Sequence, residues 1–145
     1  MTDHDSAERR YEISDDPARL DPARIHRWLS TDAYWALGRT RESHDRMIEG
    51  SLNYGAYERG SGDQAAYARV VTDRASFAWI CDVYVDPAAR GHGLGTRLVT
   101  AVRDDLTRLG VRRFLLATKD AHGVYARLGF TPLPEPDMWM SLQAV

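Results

Sequence analysis

Three glycines separate a strand-like run from an amphipathic helix pattern in VDPAARGHGLGTRLVTAVRDDLTRLG, which begins at Val85 and ends at Gly110. Upstream, ASFAWICDVYV (75–85) is nearly all apolar or β-favouring, as a central strand covered on both faces requires. Downstream, Leu94, Leu98, Val102 and Leu106 recur at helical spacing, Leu109 closes the stripe and Gly110 stops it. Gly91, Gly93 and Gly95 cost backbone entropy and add nothing to a core. The N-terminus of a helix carries unpaired N–H groups and a partial positive charge. Without Cβ atoms nearby, those donors reach an anion such as a phosphate. Residues 90–96 are therefore a candidate phosphate cradle.

The rest of the chain reads as one α/β layered domain over 11–145, with a mobile tail over 1–10. YEIS (11–14) is a short first strand. Asp21-Pro22 opens a helix running to about Leu29, and a second helix covers about Arg41–Glu49. Strands over 52–58 and 64–71 flank the turn RGSGD. RRFLLAT (112–118) is a further strand, AHGVYARLGF holds a short helix ending at Gly129, and MWMSL (138–142) is a last strand. The expected order is β-α-α-β-β-β-α-β-α-β-β. It predicts a mixed, mostly antiparallel sheet of six to seven strands with about four helices.

Composition excludes several classes. Hydrophobic residues are 43% and charged residues 28% of 145, which suits one globular domain. A net charge of −2 gives no general attraction to nucleic acid. No apolar run approaches the roughly 20 residues of a membrane span. The start, MTDHDSAERR, has no apolar signal core, and a single cysteine, Cys81, suits a reducing compartment, so a cytoplasmic location is expected. Lys119 is the one lysine among 19 basic side chains, a bias read as compositional. The histidines are scattered and none pairs with Cys81 at ligand spacing, so no metal site is expected.

A P-loop requires a lysine that this segment lacks, and a dinucleotide fingerprint requires a third glycine where Thr96 stands. The pattern R-x-x-G-x-G is met by Arg90, Gly93 and Gly95. With ICDVYVDPAARGHGLGTRLV around it and GVYARLGF downstream, where Val124 replaces an aromatic, the chain resembles the GNAT superfamily of N-acyltransferases. The match covers about residues 52–131. LSTDAYWALGRTRE also resembles a little-characterised bacterial subgroup.

The resemblance implies acetyl-CoA as co-substrate and direct acetyl transfer to a primary amine of a small molecule or protein. It implies that residues 91–96 (Gly91, His92, Gly93, Leu94, Gly95, Thr96) hold the pyrophosphate and that Arg90 adds charge or braces the loop. It also implies that the central strand splays, so that Val83, Tyr84 and Val85 meet the pantetheine arm. The segment with His122 would run beside the cofactor but departs from the family pattern there, and His122 reads as a cofactor contact, a proton relay or a surface residue. Tyr125 falls where relatives place a general acid. A phenol of pKa about 10 keeps its proton at neutral pH and can protonate a thiolate.

Alternation puts Asp82 on one face with Ile80 and Tyr84, where burial would raise its pKa towards neutrality and suit a base. The alternative is a structural carboxylate. Asp73 is a weaker candidate, in a turn, and Asp120 reads as a helix N-cap. On the acceptor side, the resemblance implicates Trp28, Tyr34, Trp35 and Arg39. Trp28 doubles as a helix staple, at most one of Tyr34 and Trp35 is core, and Arg39 pairs with a substrate carboxylate or caps its loop. The expected assembly is a monomer or homodimer. The alternative function is a catalytically inactive acyl-CoA-binding regulatory module, which would need the cradle but not Tyr125.

Overall fold

The structure, a computed structural model, describes residues 9–144. Residues 1–8 of the expected tail lie outside the described residues, and Arg9 and Arg10 are helical. Strand β1 (Tyr11–Ser14) is followed by helices α1 (Pro22–Asp32) and α2 (Arg41–Glu49). Then come β2 (Leu52–Glu58), β3 (Gln64–Thr72), β4 (Phe77–Val85), α3 (Leu94–Arg108), β5 (Arg113–Leu115) and α4 (His122–Ala126). Local chemistry sets the helix ends. The Asp21 carboxylate accepts from Arg24 N–H at 3.1 Å to start α1 beside Pro22. The Thr40 hydroxyl accepts from Ser43 N–H at 3.2 Å to start α2. Gly110, at φ +100°, ends α3 and lets Val111 N–H return to the Leu106 carbonyl at 3.0 Å.

One sheet runs in the order β1-β2-β3-β4-β5, antiparallel except for the parallel pair β4-β5. This is the expected α/β architecture with a mixed, mostly antiparallel sheet, but with five strands in place of six to seven. The last expected strand, 138–142, does not form: Met138 ends a 3-10 turn, and Met140 and Leu142 are 97% and 93% exposed. Pro132, Pro134 and Pro136 lead into it, and each removes a ladder donor and fixes φ. β5 likewise occupies only part of the expected 112–118.

Helix α3 packs on one sheet face. Leu94, Leu98, Val99, Val102 and Leu106 are buried against Ala56, Val70, Ala78 and Ile80. Each such Leu or Val contributes about 1.5–3 kcal/mol on full burial, so this face anchors the glycine turn at the head of α3. Leu109 does not close the stripe: it lies beyond the last helical turn and is 59% exposed, and Val111 fills the core there. On the other face α1 and the chain after it bury Ile25, Leu29, Ala33 and Ala36 with Tyr67 and Tyr84. That cover is partial. Val71 and Trp79, paired across β3 and β4, stay 38% and 48% exposed, so β4 is not covered on both faces as expected.

Candidate active site

Strands β3 and β4 pair Arg69 with Cys81 and Tyr67 with Tyr84, which leaves Asp82 and Val83 opposite Ala68 alone. This is a β-bulge, and Asp82 adopts φ +29° in it. The bulge breaks the alternation on which the sequence reading relied. Ile80 belongs to the α3 face and Tyr84 to the α1 face, so the two do not share a side with Asp82 between them.

Four hydrogen bonds converge on the Asp82 carboxylate. Trp35 Nε1 donates to Oδ1 at 2.8 Å, Arg39 donates from Nη1 and Nη2 at 2.8 and 3.1 Å, and Arg69 Nε donates to Oδ2 at 2.7 Å. Burial opposes ionisation here, but the hydrogen bonds and charges of Arg39 and Arg69 outweigh it and hold the carboxyl below its ordinary range. The expected rise towards neutrality is therefore corrected. Arg39 is corrected too: its charge already has a carboxylate, and its side chain is only 12% exposed. Its backbone carbonyl accepts from His26 Nε2 at 2.7 Å. Arg69, which also donates to Ser51 Oγ at 3.2 Å, went unnoticed in the sequence. The available signal was a charge in the apolar run QAAYARVV.

Beside this cluster β4 and β5 part. Their last pair is Trp79 with Leu115, while β4 continues to Val85. A cavity of about 240 Å³ opens there, lined by Val83, Val85, the glycine turn and Tyr125. Gly93, at φ +74°, is the N-cap of α3, and no side chain caps the helix. A Cβ on Gly95 would meet only Val85 Cγ2, at an ordinary 3.7 Å, and Gly95 has no positive φ. Neither packing nor backbone conformation asks for glycine at this helical position, where it costs about 1 kcal/mol relative to alanine.

Arg90 lines the same cavity but spends its donors as a brace, from Nε to the Val85 carbonyl at 3.0 Å and from Nη2 to Asp32 at 3.3 Å. Tyr84 OH donates to Asp32 at 2.5 Å, and Trp28 stacks on the Tyr84 ring at 5.6 Å. Tyr84 and Trp28 thus tie α1 to the loop and sit away from the cavity. His92 lies 6.5 Å from the Tyr11 ring, and His122 lines a larger cavity beside β5. Tyr84, His92 and His122 are therefore not among the residues lining the small cavity, because the bulge, the loop's turn and the start of α4 aim them elsewhere.

Tyr125 projects from α4 into the parting and packs edge-on against Phe130 at 5.8 Å. Burial, and then the nearby Tyr34 phenol, push its pKa up. Tyr34 and Trp35 stack edge to face at 5.0 Å and are 49% and 44% exposed, so neither is core. Tyr34 OH accepts from Lys119 N–H at 3.0 Å, which bridges the two sides of the parting. Asp73 accepts from Ala75, Ser76 and Phe77 N–H groups as a turn residue. Asp120 is not the cap of α4; that position is Ala121. Among the described residues no group of three or more His, Cys, Asp or Glu is placed to hold a metal, and no helix is long and apolar enough to cross a membrane.

Behind Arg39, His44 is 1% exposed with neither ring nitrogen hydrogen-bonded, and its ring lies 5.5 Å from His26. Burial first, then the charges of His26 and Arg39, bring its pKa down to about 4. The unfolded chain takes up this proton near pH 6.5 and the folded chain only near 4, so stability is full above 6.5 and declines as pH falls towards 4. The full shift would correspond to about 3 kcal/mol, an upper limit once solvent screening is counted. His44→Leu is expected to flatten the melting temperature between pH 6.5 and 4.5. An unchanged slope in that variant would remove His44 as its source.

The family model of the GNAT acetyltransferases matches residues 22–130. A crystal structure of a Xanthomonas campestris protein assigned to that family is 43% identical, covers 92% of this chain and 93% of its own, and superposes with a TM-score of 0.85. Rv2747 of Mycobacterium tuberculosis, solved with CoA and NLQ, is 21% identical with a TM-score of 0.70, covering 85% of this chain and 73% of its own. The mouse thialysine N-epsilon-acetyltransferase is 35% identical over 66 residues, 43% of this chain and 39% of its own. On the family match and the likeness of sequence and fold, the chain belongs to the GNAT family of acetyltransferases.

Proposed function

We propose that the chain is a cytoplasmic, acetyl-CoA-dependent N-acetyltransferase that transfers directly to a primary amine of a small molecule or protein. The observation that carries this is Gly95, a glycine in the first turn of α3 that neither packing nor backbone conformation calls for, which supports a role toward a ligand. Acetyl-CoA supplies an acetyl group activated as a thioester. The backbone N–H groups of Leu94, Gly95 and Thr96 would bind its pyrophosphate, aided by the helix N-terminus. The stretch of β4 from Val83 to Val85, paired with β3 but without a partner on its β5 side, would offer backbone groups to the pantetheine arm and an N–H for the thioester oxygen. Tyr125 holds its proton at neutral pH and gives it to the departing sulfur. Asp82 fixes Trp35 and Arg39 as the acceptor-side wall, a positioning role in place of a base. The mouse relative, named for acetylation at an amine nitrogen, supports an amine acceptor.

A thiol-release assay with acetyl-CoA and a panel of amines tests the reaction. Gly95→Val tests the cradle. The Cβ fits, and the γ-methyl groups enter the cavity, so coenzyme A affinity should fall more than tenfold in calorimetry while the circular dichroism spectrum is retained. Unchanged affinity would refute the cradle.

A further inference from the structure

We propose that Lys119 is itself an acetyl acceptor, so that the chain acetylates its own lysine in cis. The proposal rests on the acetyl-transfer reading above. Of 19 basic side chains this is the one lysine; the others are arginine, whose delocalised guanidinium stays charged and is a poor nucleophile. Lys119 therefore carries the chain's single side-chain primary amine. Lys119 lies in the connection from β5 to α4, in neither helix nor strand, and is exposed. Its backbone N–H donates to Tyr34 OH at 3.0 Å, and its Nζ rests 5.7 Å from the centre of the Tyr34 ring. The connection that carries Lys119 runs on into Ala121, which lines the cavity together with Tyr125. The ammonium is thus parked on the Tyr34 ring, on a flexible stem, two residues before Ala121 of the cavity wall.

The step balances. The Lys119 ammonium loses one proton to solvent, and the freed amine nitrogen attacks the thioester carbonyl carbon. The N–C bond forms and the C–S bond breaks. The sulfur leaves with the Tyr125 proton, and the nitrogen's remaining surplus proton restores Tyr125. The products are an N-acetyl-lysine and the free thiol. Acetylation removes the charge and with it the cation–π contact on the Tyr34 ring, while the hydrogen bond from Lys119 N–H to Tyr34 OH stays.

The test incubates the full chain with acetyl-CoA and follows intact mass and peptide maps. The expected result is a gain of one acetyl group at Lys119, at a first-order rate independent of protein concentration. Lys119→Arg abolishes it. Gly95→Val and Tyr125→Phe slow it, the latter by about 10²-fold or more. An equal rate in Gly95→Val means chemical acetylation and overturns the proposal, as does modification only at the N-terminal amine. Turnover of free amines with Lys119 unmodified overturns this proposal and leaves the acetyl-transfer reading standing. Failure to bind acetyl-CoA overturns both. A second readout needs no turnover: coenzyme A should slow labelling of Lys119 by an amine-selective ester. Labelling at the same rate with and without coenzyme A would also overturn it.

Discussion

Asp82→Asn is expected to destabilise the fold by about 3–5 kcal/mol, because it leaves two largely buried guanidiniums without their counter-charge. The side chains of Arg39 and Arg69 are each 12% exposed and that of Asp82 is 2% exposed, so water cannot replace the carboxylate. The amide offers one acceptor where the carboxylate receives four hydrogen bonds, and its NH₂ faces other donors. The positive φ of Asp82 then loses what holds it, and the bulge is free to relax. Chemical denaturation measures the loss. The same contact has a pH signature. The folded carboxyl releases its proton at lower pH than the unfolded one, so its contribution is complete at neutral pH and fades as pH drops below about 4. Asp82→Asn should remove that acid limb. A variant with wild-type stability would mean that the cluster adds nothing net. If Asp82 were instead a free base, the variant would keep its stability and lose only rate.

Features with local causes were legible in the sequence. Asp21-Pro22 and Gly110 mark helix ends by chemistry within a few residues, and the structure places ends there. The strand, glycine turn and helix around residues 85–108 were legible for the same reason, since they are contiguous. The register of β4 was not. Its bulge depends on how Asp82 and Val83 are counted against Ala68, which no single strand reveals. MWMSL alternates like a strand, but alternation does not supply a partner. The ionisation of Asp82 was misread because its partners are distant in the chain: Arg39 lies 43 residues away and Arg69 13. The brace between Arg90 and Asp32 spans 58 residues and was hidden in the same way. Burial was legible from the apolar surroundings, whereas the two charges that reverse its effect appear only once the strands are paired.

Tyr125→Phe is expected to leave coenzyme A affinity intact and to lower kcat by about 10²–10⁴-fold, the usual range for a general acid or base. Phenylalanine keeps the edge-on contact with Phe130 at 5.8 Å and still fills its place on the cavity wall, so the change isolates the hydroxyl. That hydroxyl suits proton donation, because burial, with the Tyr34 phenol nearby, raises its pKa above the ordinary phenol value. Tyr125 is therefore protonated across the neutral range, and the wild-type rate should not fall on the alkaline side until the phenol begins to ionise. The variant should lose that alkaline limb, since no phenol remains at that position to titrate. Steady-state kinetics over pH, with calorimetry for coenzyme A, separate the outcomes. A full-rate variant would return Tyr125 to packing and shift attention to Tyr34, the neighbouring phenol across the parting. A loss confined to affinity would make Tyr125 a wall of the cavity and leave proton delivery to solvent. A fall in kcat at constant affinity is the result that a proton donor at this position requires.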